Sequence, residues 1–135
     1  LHIEPLFREP LQLVAAPDHR LAAVGGLSRT ELAGVRILSL DPRHHLHRQT
    51  VDICAELSAE LLRDYEGTSL DSLRQMAGSG IGLAILPELY LRSEVGGEDM
   101  VRRLAITDWS AHRSLAAVWR QGAAYGDSYQ LVAHA

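Results

Sequence analysis

Val35-Arg36-Ile37-Leu38-Ser39-Leu40-Asp41-Pro42-Arg43-His44-His45-Leu46-His47-Arg48 is the stretch that decides the fold. Val35, Ile37, Leu38 and Leu40 form a short apolar run, which reads as a buried strand. Asp41-Pro42-Arg43 breaks it, because proline brings no N–H to a ladder. From Leu46 to Leu62 the apolar period turns helical, with Leu46, Ile53, Cys54, Leu57 and Leu61 near one face. Strand, tight loop, helix is the repeating unit of an α/β domain.

The same rhythm extends both ways. Upstream, Leu6-Phe7 and Leu11 to Ala15 read as strand, and Pro17-Asp18-His19 as a turn. Ser28-Arg29-Thr30-Glu31 has capping-box spacing and opens a short helix that ends at Gly34. Downstream, Asp64 to Gly67 reads as a short strand. Thr68 or Ser69 caps a helix through Leu70, Leu73 and Met76, and Gly78-Ser79-Gly80 ends it. Ile81 to Leu86 is a strand stopped by Pro87, with a helical turn over Pro87 to Leu91 and a polar loop from Glu94 to Asp99. Val101 to Leu104 and Ser114 to Trp119 read as strands, and Tyr125 onward as a helix.

Composition bounds the function. The 135 residues fit one domain, and 47% hydrophobic with 22% charged residues is a globular balance. A net charge of −4 argues against nucleic-acid binding by this chain alone, which needs a basic face. All 13 basic residues are Arg, and neither Lys nor Asn occurs, as codon bias in a GC-rich genome would produce. One cysteine, Cys54, excludes an intrachain disulfide and a multi-thiolate zinc site. No apolar run reaches the roughly 18 residues of a membrane span, and no signal peptide opens the chain. Leu1 at the start and Leu131-Val132-Ala133 near the end read as cuts in a longer protein.

Two strand-to-helix turns then define where a ligand sits: 41–45 after the first strand and 68–69 after the second. Ligands of open α/β sheets lie off the carboxyl ends of strands, where helix starts offer unpaired N–H groups and a partial positive charge. A small anionic or polar ligand suits that place. Thr68 and Ser69 also cap their helix, and the two roles coexist. His44, His45 and His47 admit three readings: a metal site, a solvated polar loop, or an effector contact made by His44, His45 and Arg48. A carboxylate or thiolate partner for a metal is not evident nearby. Cys54, on the apolar stripe of the helix, reads as a small buried hydrophobe. No catalytic constellation is present: Gly78-Ser79-Gly80-Ile81-Gly82 leaves a helix and enters a strand, the wrong order for a phosphate loop.

Several motifs in fixed order resemble the effector-binding domain of LysR-type transcriptional regulators. They are Glu4 to Pro10, Asp18-His19 with Leu21, Leu32-Ala33-Gly34, Gly67-Thr68-Ser69-Leu70 with Leu73 and Met76, Gly80 to Pro87, and Leu115 to Arg120. They cover nearly the whole chain. Within that family Leu40 to Gln49, ending at Cys54, is most similar to the peroxide-sensing OxyR group. Cys54 falls on the resolving position of that group, His44 on the His beside its peroxidatic cysteine, and His45 on the peroxidatic position itself. With one Cys the intramolecular disulfide of such a switch cannot form.

The resemblance implies a type II periplasmic-binding-protein-like α/β fold. Residues from about 10 to 110 would form the second lobe. About 1–9 and 111–135 would be crossover elements, with the return strand and helix of the first lobe. It implies an effector in the inter-lobe cleft, contacted by Pro42, Arg43, His44, His45, Arg48, Gly67, Thr68 and Ser69. It further implies no cofactor, self-association to a dimer or tetramer, a cytoplasmic location, and DNA contact only through an N-terminal domain outside this chain. Signalling would be a population shift between lobe arrangements. Two alternatives come from other classes: a solute-binding protein of the same fold, and an enzyme using a thiol or a His-bound metal. A redox sensor using Cys54 between subunits is the remaining variant.

Overall fold

The computed structural model describes residues 2–93, 100–119 and 129–134, with side chains over 8–93 and 100–113. The expected polar loop at Glu94 to Asp99 lies outside the described residues.

The two apolar segments expected at the start are one strand, β1 (His2–Ala15). After the 17–18 turn come two short 3-10 segments. In the first, Arg20–Ala23, His19 Nδ1 accepts the Leu21 N–H at 3.1 Å. The second, Arg29–Leu32, has the capping box read from sequence: the Ser28 N–H donates to Glu31 at 2.8 Å. Gly34, at φ +78, turns the chain into β2 (Arg36–Leu40). Helix α1 (His45–Leu57) follows, then β3 (Glu60–Gly67), α2 (Leu70–Gly78), β4 (Ala84–Pro87) and α3 (Glu88–Ser93). The chain closes with β5 (Arg102–Arg103), β6 (Ala111–Trp119) and β7 (Tyr129–His134).

Three expectations need correction. Helix α1 ends at Leu57 rather than Leu62, because Ser58 takes a left-handed conformation (φ 58). Leu61 keeps the helical spacing, yet it pairs with Ile37 in β3. β3 accordingly starts at Glu60, not Asp64. The segment from Tyr125 was expected to be helical, but Tyr129–His134 is a strand paired antiparallel with β6, from Ser114↔His134 to Trp119↔Tyr129. The free edge of β6 offers a row of backbone partners, and that long-range pairing overrides a local helical reading.

β1 is the hub. It pairs antiparallel with β4, with β6 and, at its far end, with β5. β2 and β3 pair in parallel. The residues before β4 join the two sheets: the Leu83 N–H donates to Arg36 O at 2.8 Å, and the Leu38 N–H to Leu83 O at 2.7 Å. Gly82 permits that approach, since a Cβ there would lie 2.8 Å from Leu62 Cδ1 and 3.1 Å from Arg36 O. One core spans both sheets and the helices, with Leu13, Ile37, Leu38, Leu73, Leu83, Ile85 and Leu86 fully buried. Each such side chain contributes about 1.5–3 kcal/mol against exposure. No helix among the described residues is long and apolar enough to cross a membrane.

Candidate functional site

Parallel pairing of β2 and β3 sets their carboxyl ends side by side. Leu40 pairs with Gly67, and the pairing runs one residue further, the Asp41 N–H donating to Gly67 O at 3.0 Å. The loops leaving these strands therefore start in contact, and the first turns of α1 and α2 follow at once. Pro42, Arg43, His44, His45, Arg48, Thr68 and Ser69 are all exposed here, while Gly67 is buried in the ladder. The two clusters of candidate residues, about 25 positions apart in sequence, lie at one sheet end.

The two helix starts differ chemically. At α2 the N-cap is Ser69, not Thr68: Ser69 Oγ accepts the Ser72 N–H at 3.1 Å. The Ser72 hydroxyl answers by accepting the N–H groups of Thr68 (3.0 Å) and Ser69 (3.1 Å). Ser72 was not expected to take part; the Ser-x-x-Ser spacing, a capping box with serine in place of Glu, was its signal. The Ser69 hydroxyl is thus already engaged within α2. At α1 the N-cap His44 supplies no side-chain cap, so the helix start keeps donors available to a ligand.

Asp41 organises the 41–45 loop. Its buried carboxylate accepts the Arg43 N–H at 2.9 Å, Arg43 Nε and Nη2 at 3.1 Å each, and lies 3.7 Å from His44 Nε2. The Arg43 side-chain and backbone bonds hold the Asp41 carboxyl below its usual range, against the opposing effect of desolvation. Asp41 in turn holds the Arg43 guanidinium above its ordinary value. Arg43 is thus committed to Asp41, although its side chain is 87% exposed.

The three histidines do not converge. His44 faces Asp41, whereas His47 Nδ1 lies 3.0 Å from Leu40 O and 2.9 Å from Ser39 Oγ. A carbonyl oxygen only accepts, so Nδ1 of His47 carries a proton directed at Leu40 O. Among the described residues no three His, Cys, Asp or Glu side chains are grouped to hold a metal. Gln49, one turn beyond His45 on the same helix, has a buried Oε1 with no hydrogen-bond partner among the described residues. Cys54 is buried in the core, and burial pushes its thiol up to about 11.

The family model for the LysR substrate binding domain matches residues 1–131. The hydrogen peroxide-inducible genes activator of Haemophilus influenzae is 30% identical over 131 residues, covering 97% of this chain and 43% of that protein. The chain thus spans less than half the length of that curated relative. The reduced form of OxyR superposes with a TM-score of 0.69 at 29% identity, covering 90% of this chain and 56% of the other. The oxidised form gives 0.68 at 32% identity, covering 90% and 57%. The backbone is equally close to both states, so the likeness reports the architecture, a type II periplasmic-binding-protein-like α/β fold, and not a redox state. The chain belongs to the LysR substrate-binding-domain family.

Proposed function

We propose that this chain is the effector-sensing part of a LysR-type transcriptional regulator, and that a small polar or anionic molecule docks where loop 41–45 meets residues 67–69. The observation that carries the reading is the Asp41-to-Gly67 backbone bond, which brings the uncapped start of α1 beside the exposed Thr68 and the start of α2. Pro42, Arg43, His44, His45, Arg48, Gly67, Thr68 and Ser69 form the contact surface. His45 and Arg48 lie on the first turn of α1 and face solvent. Arg43 contributes through Asp41, whose negative charge it offsets near the helix start.

In this reading residues about 10–110 are one lobe, and about 1–9 with 111–135 lead to the other. The long β1–β6 pairing, from His2↔Trp119 to Leu11↔Ala111 with one register shift between Pro5 and Phe7, supports crossing strands that pass between lobes. Effector binding biases the lobe arrangement, and a dimer or tetramer in the cytoplasm passes the change to a separate DNA-binding domain. A peroxide switch of the kind suggested by the relatives' names needs two thiols, and this chain has one, buried. We assign no catalytic step and no cofactor to it.

The test uses the full-length regulator with a panel of small carboxylates, inorganic phosphate and hydrogen peroxide. Melting temperature and operator-DNA affinity are read for each. The reading expects a panel anion to raise the melting temperature and alter DNA affinity, with both effects lost in Thr68→Val and in His45→Ala. A response to peroxide alone, with loss of the Cys54 thiol and cross-linked subunits, overturns it in favour of intermolecular redox sensing.

A further inference from the structure

Helix α3 has an unusual attachment. It is six residues long and buries one apolar side chain, Leu91, while Leu89 is 45% exposed. Packing alone leaves so short an element poorly fixed. Its seat is instead defined by polar bonds to three other elements. The Tyr90 hydroxyl donates to Asp71 in the first turn of α2. The Leu89 N–H donates to Glu9 Oε2 of β1 at 2.9 Å. Glu88 takes Arg103 Nη2 of β5 at 3.1 Å. Glu9 is itself buried, 1% exposed, and its other oxygen accepts Arg113 Nε of β6 at 2.7 Å.

We propose that α3 is a coupling element joining the start of α2 to the crossing strands β1 and β6, through the sequence Asp71, Tyr90, Leu89 N–H, Glu9, Arg113. Each member bonds the next, and each sits on a different element from its partner except where α3 spans the gap. Glu9 is the joint. Its two oxygens serve two elements, so its carboxylate cannot turn toward one without weakening the other. Asp71 lies two residues beyond the Ser69 cap. A charge arriving at the α2 start acts on Asp71 directly, and the buried carboxylate at the far end converts a change in α3 into a change at Arg113. The functional meaning rests on the docking reading above and on β1 and β6 crossing between lobes; the coupling itself does not.

Hydrogen–deuterium exchange on the full-length protein tests it without any effector. Tyr90→Phe removes the hydroxyl's bond to Asp71 and little volume. The expected result is exchange accelerated about fivefold or more, the lower end of ordinary coupling, in residues 88–93 and also in segments 8–13 and 111–113. Helix α1 stays unchanged. Asp71→Ala removes the same bond from the other side and reproduces the pattern even if one variant folds poorly. In a Glu9→Gln background, where one amide oxygen cannot serve both donors, Tyr90→Phe no longer affects 111–113. Acceleration confined to 70–78 and 88–93, or an equal effect at 111–113 with Gln at position 9, overturns the proposal. Because no ligand enters the experiment, its failure leaves the docking reading standing, and failure of the docking test leaves the coupling standing.

Discussion

Gly82 and Gly80 are both glycines, yet they are required for different reasons, and substitution separates them. At Gly82 space is the constraint: a Cβ would lie 2.8 Å from Leu62 Cδ1, 3.1 Å from Arg36 O and 3.3 Å from Leu38 Cγ. Leu62 can shift, but Arg36 O is backbone and is the acceptor for the Leu83 N–H at 2.8 Å. Overpacking of this kind costs about 1–3 kcal/mol. Pushing β2 away also strains two joining hydrogen bonds, each worth about 1 kcal/mol net. Gly82→Ala is therefore expected to cost about 2–4 kcal/mol. At Gly80 there is open space but φ is +87, so Gly80→Ala costs about 1 kcal/mol through conformation alone. For 135 residues the unfolding entropy is about 0.28 kcal/mol per K, so the melting temperature falls by about 7–14 °C and about 4 °C respectively. Asparagine, which tolerates the left-handed region, should recover most of the loss at position 80 and none at 82. Thermal melts of the four variants read all of this. A Gly82→Ala protein within about 0.5 kcal/mol of the parent, the range of neutral surface changes, would refute the claim that close backbone approach there joins the two sheets.

Three further outcomes are expected. Arg113→Met strands the buried Glu9 carboxylate and should cost about 3–5 kcal/mol in urea unfolding. Adding Glu9→Gln, which still accepts the Leu89 N–H, should restore more than half of that; a double variant less stable than Arg113→Met would contradict it. Burial first, and Arg20 second, lower the His19 pKa, and its Nδ1 must stay unprotonated to accept the Leu21 N–H. The stability it contributes is present above pH 6.5 and is lost as pH falls through the depressed folded value. His19→Asn should therefore lose less melting temperature between pH 7.5 and 5.5 than the parent. The Cys54 thiol, raised to about 11, should react with an aromatic disulfide reagent orders of magnitude more slowly when folded than in denaturant. Stability should also decline as pH rises above 9, where the unfolded thiol ionises first.

Much of this protein is legible without coordinates because the signals are local. Val35 to Leu40 announces a strand by its apolar run, and Ser28 to Glu31 announces a helix start by spacing. Cys54 reads as core from its place on the helical stripe. The ordered motifs from Glu4 to Pro87 point to the family that the comparisons established. The clustering of 42–48 and 67–69 was also inferable, since consecutive parallel strands deliver their following loops to the same sheet end.

What tertiary structure alone decided is everything that depends on partners distant in sequence. Leu61 obeys a helical period but pairs with Ile37, because a left-handed Ser58 ends α1 and β2 offers a ladder. Tyr129–His134 follows the free edge of β6, not its own propensity. Arg43 looks like a ligand-binding cation and is held by Asp41. Glu9, read in the sequence only as part of the Glu4 to Pro10 motif, is the buried joint of three elements, because partners 80 and 104 positions away complete its hydrogen bonds. Periodicity and caps act over one or two turns and are written in adjacent residues. Pairing of edges and buried charges is decided by whichever distant group can satisfy the backbone or carboxylate, and only the folded chain selects it.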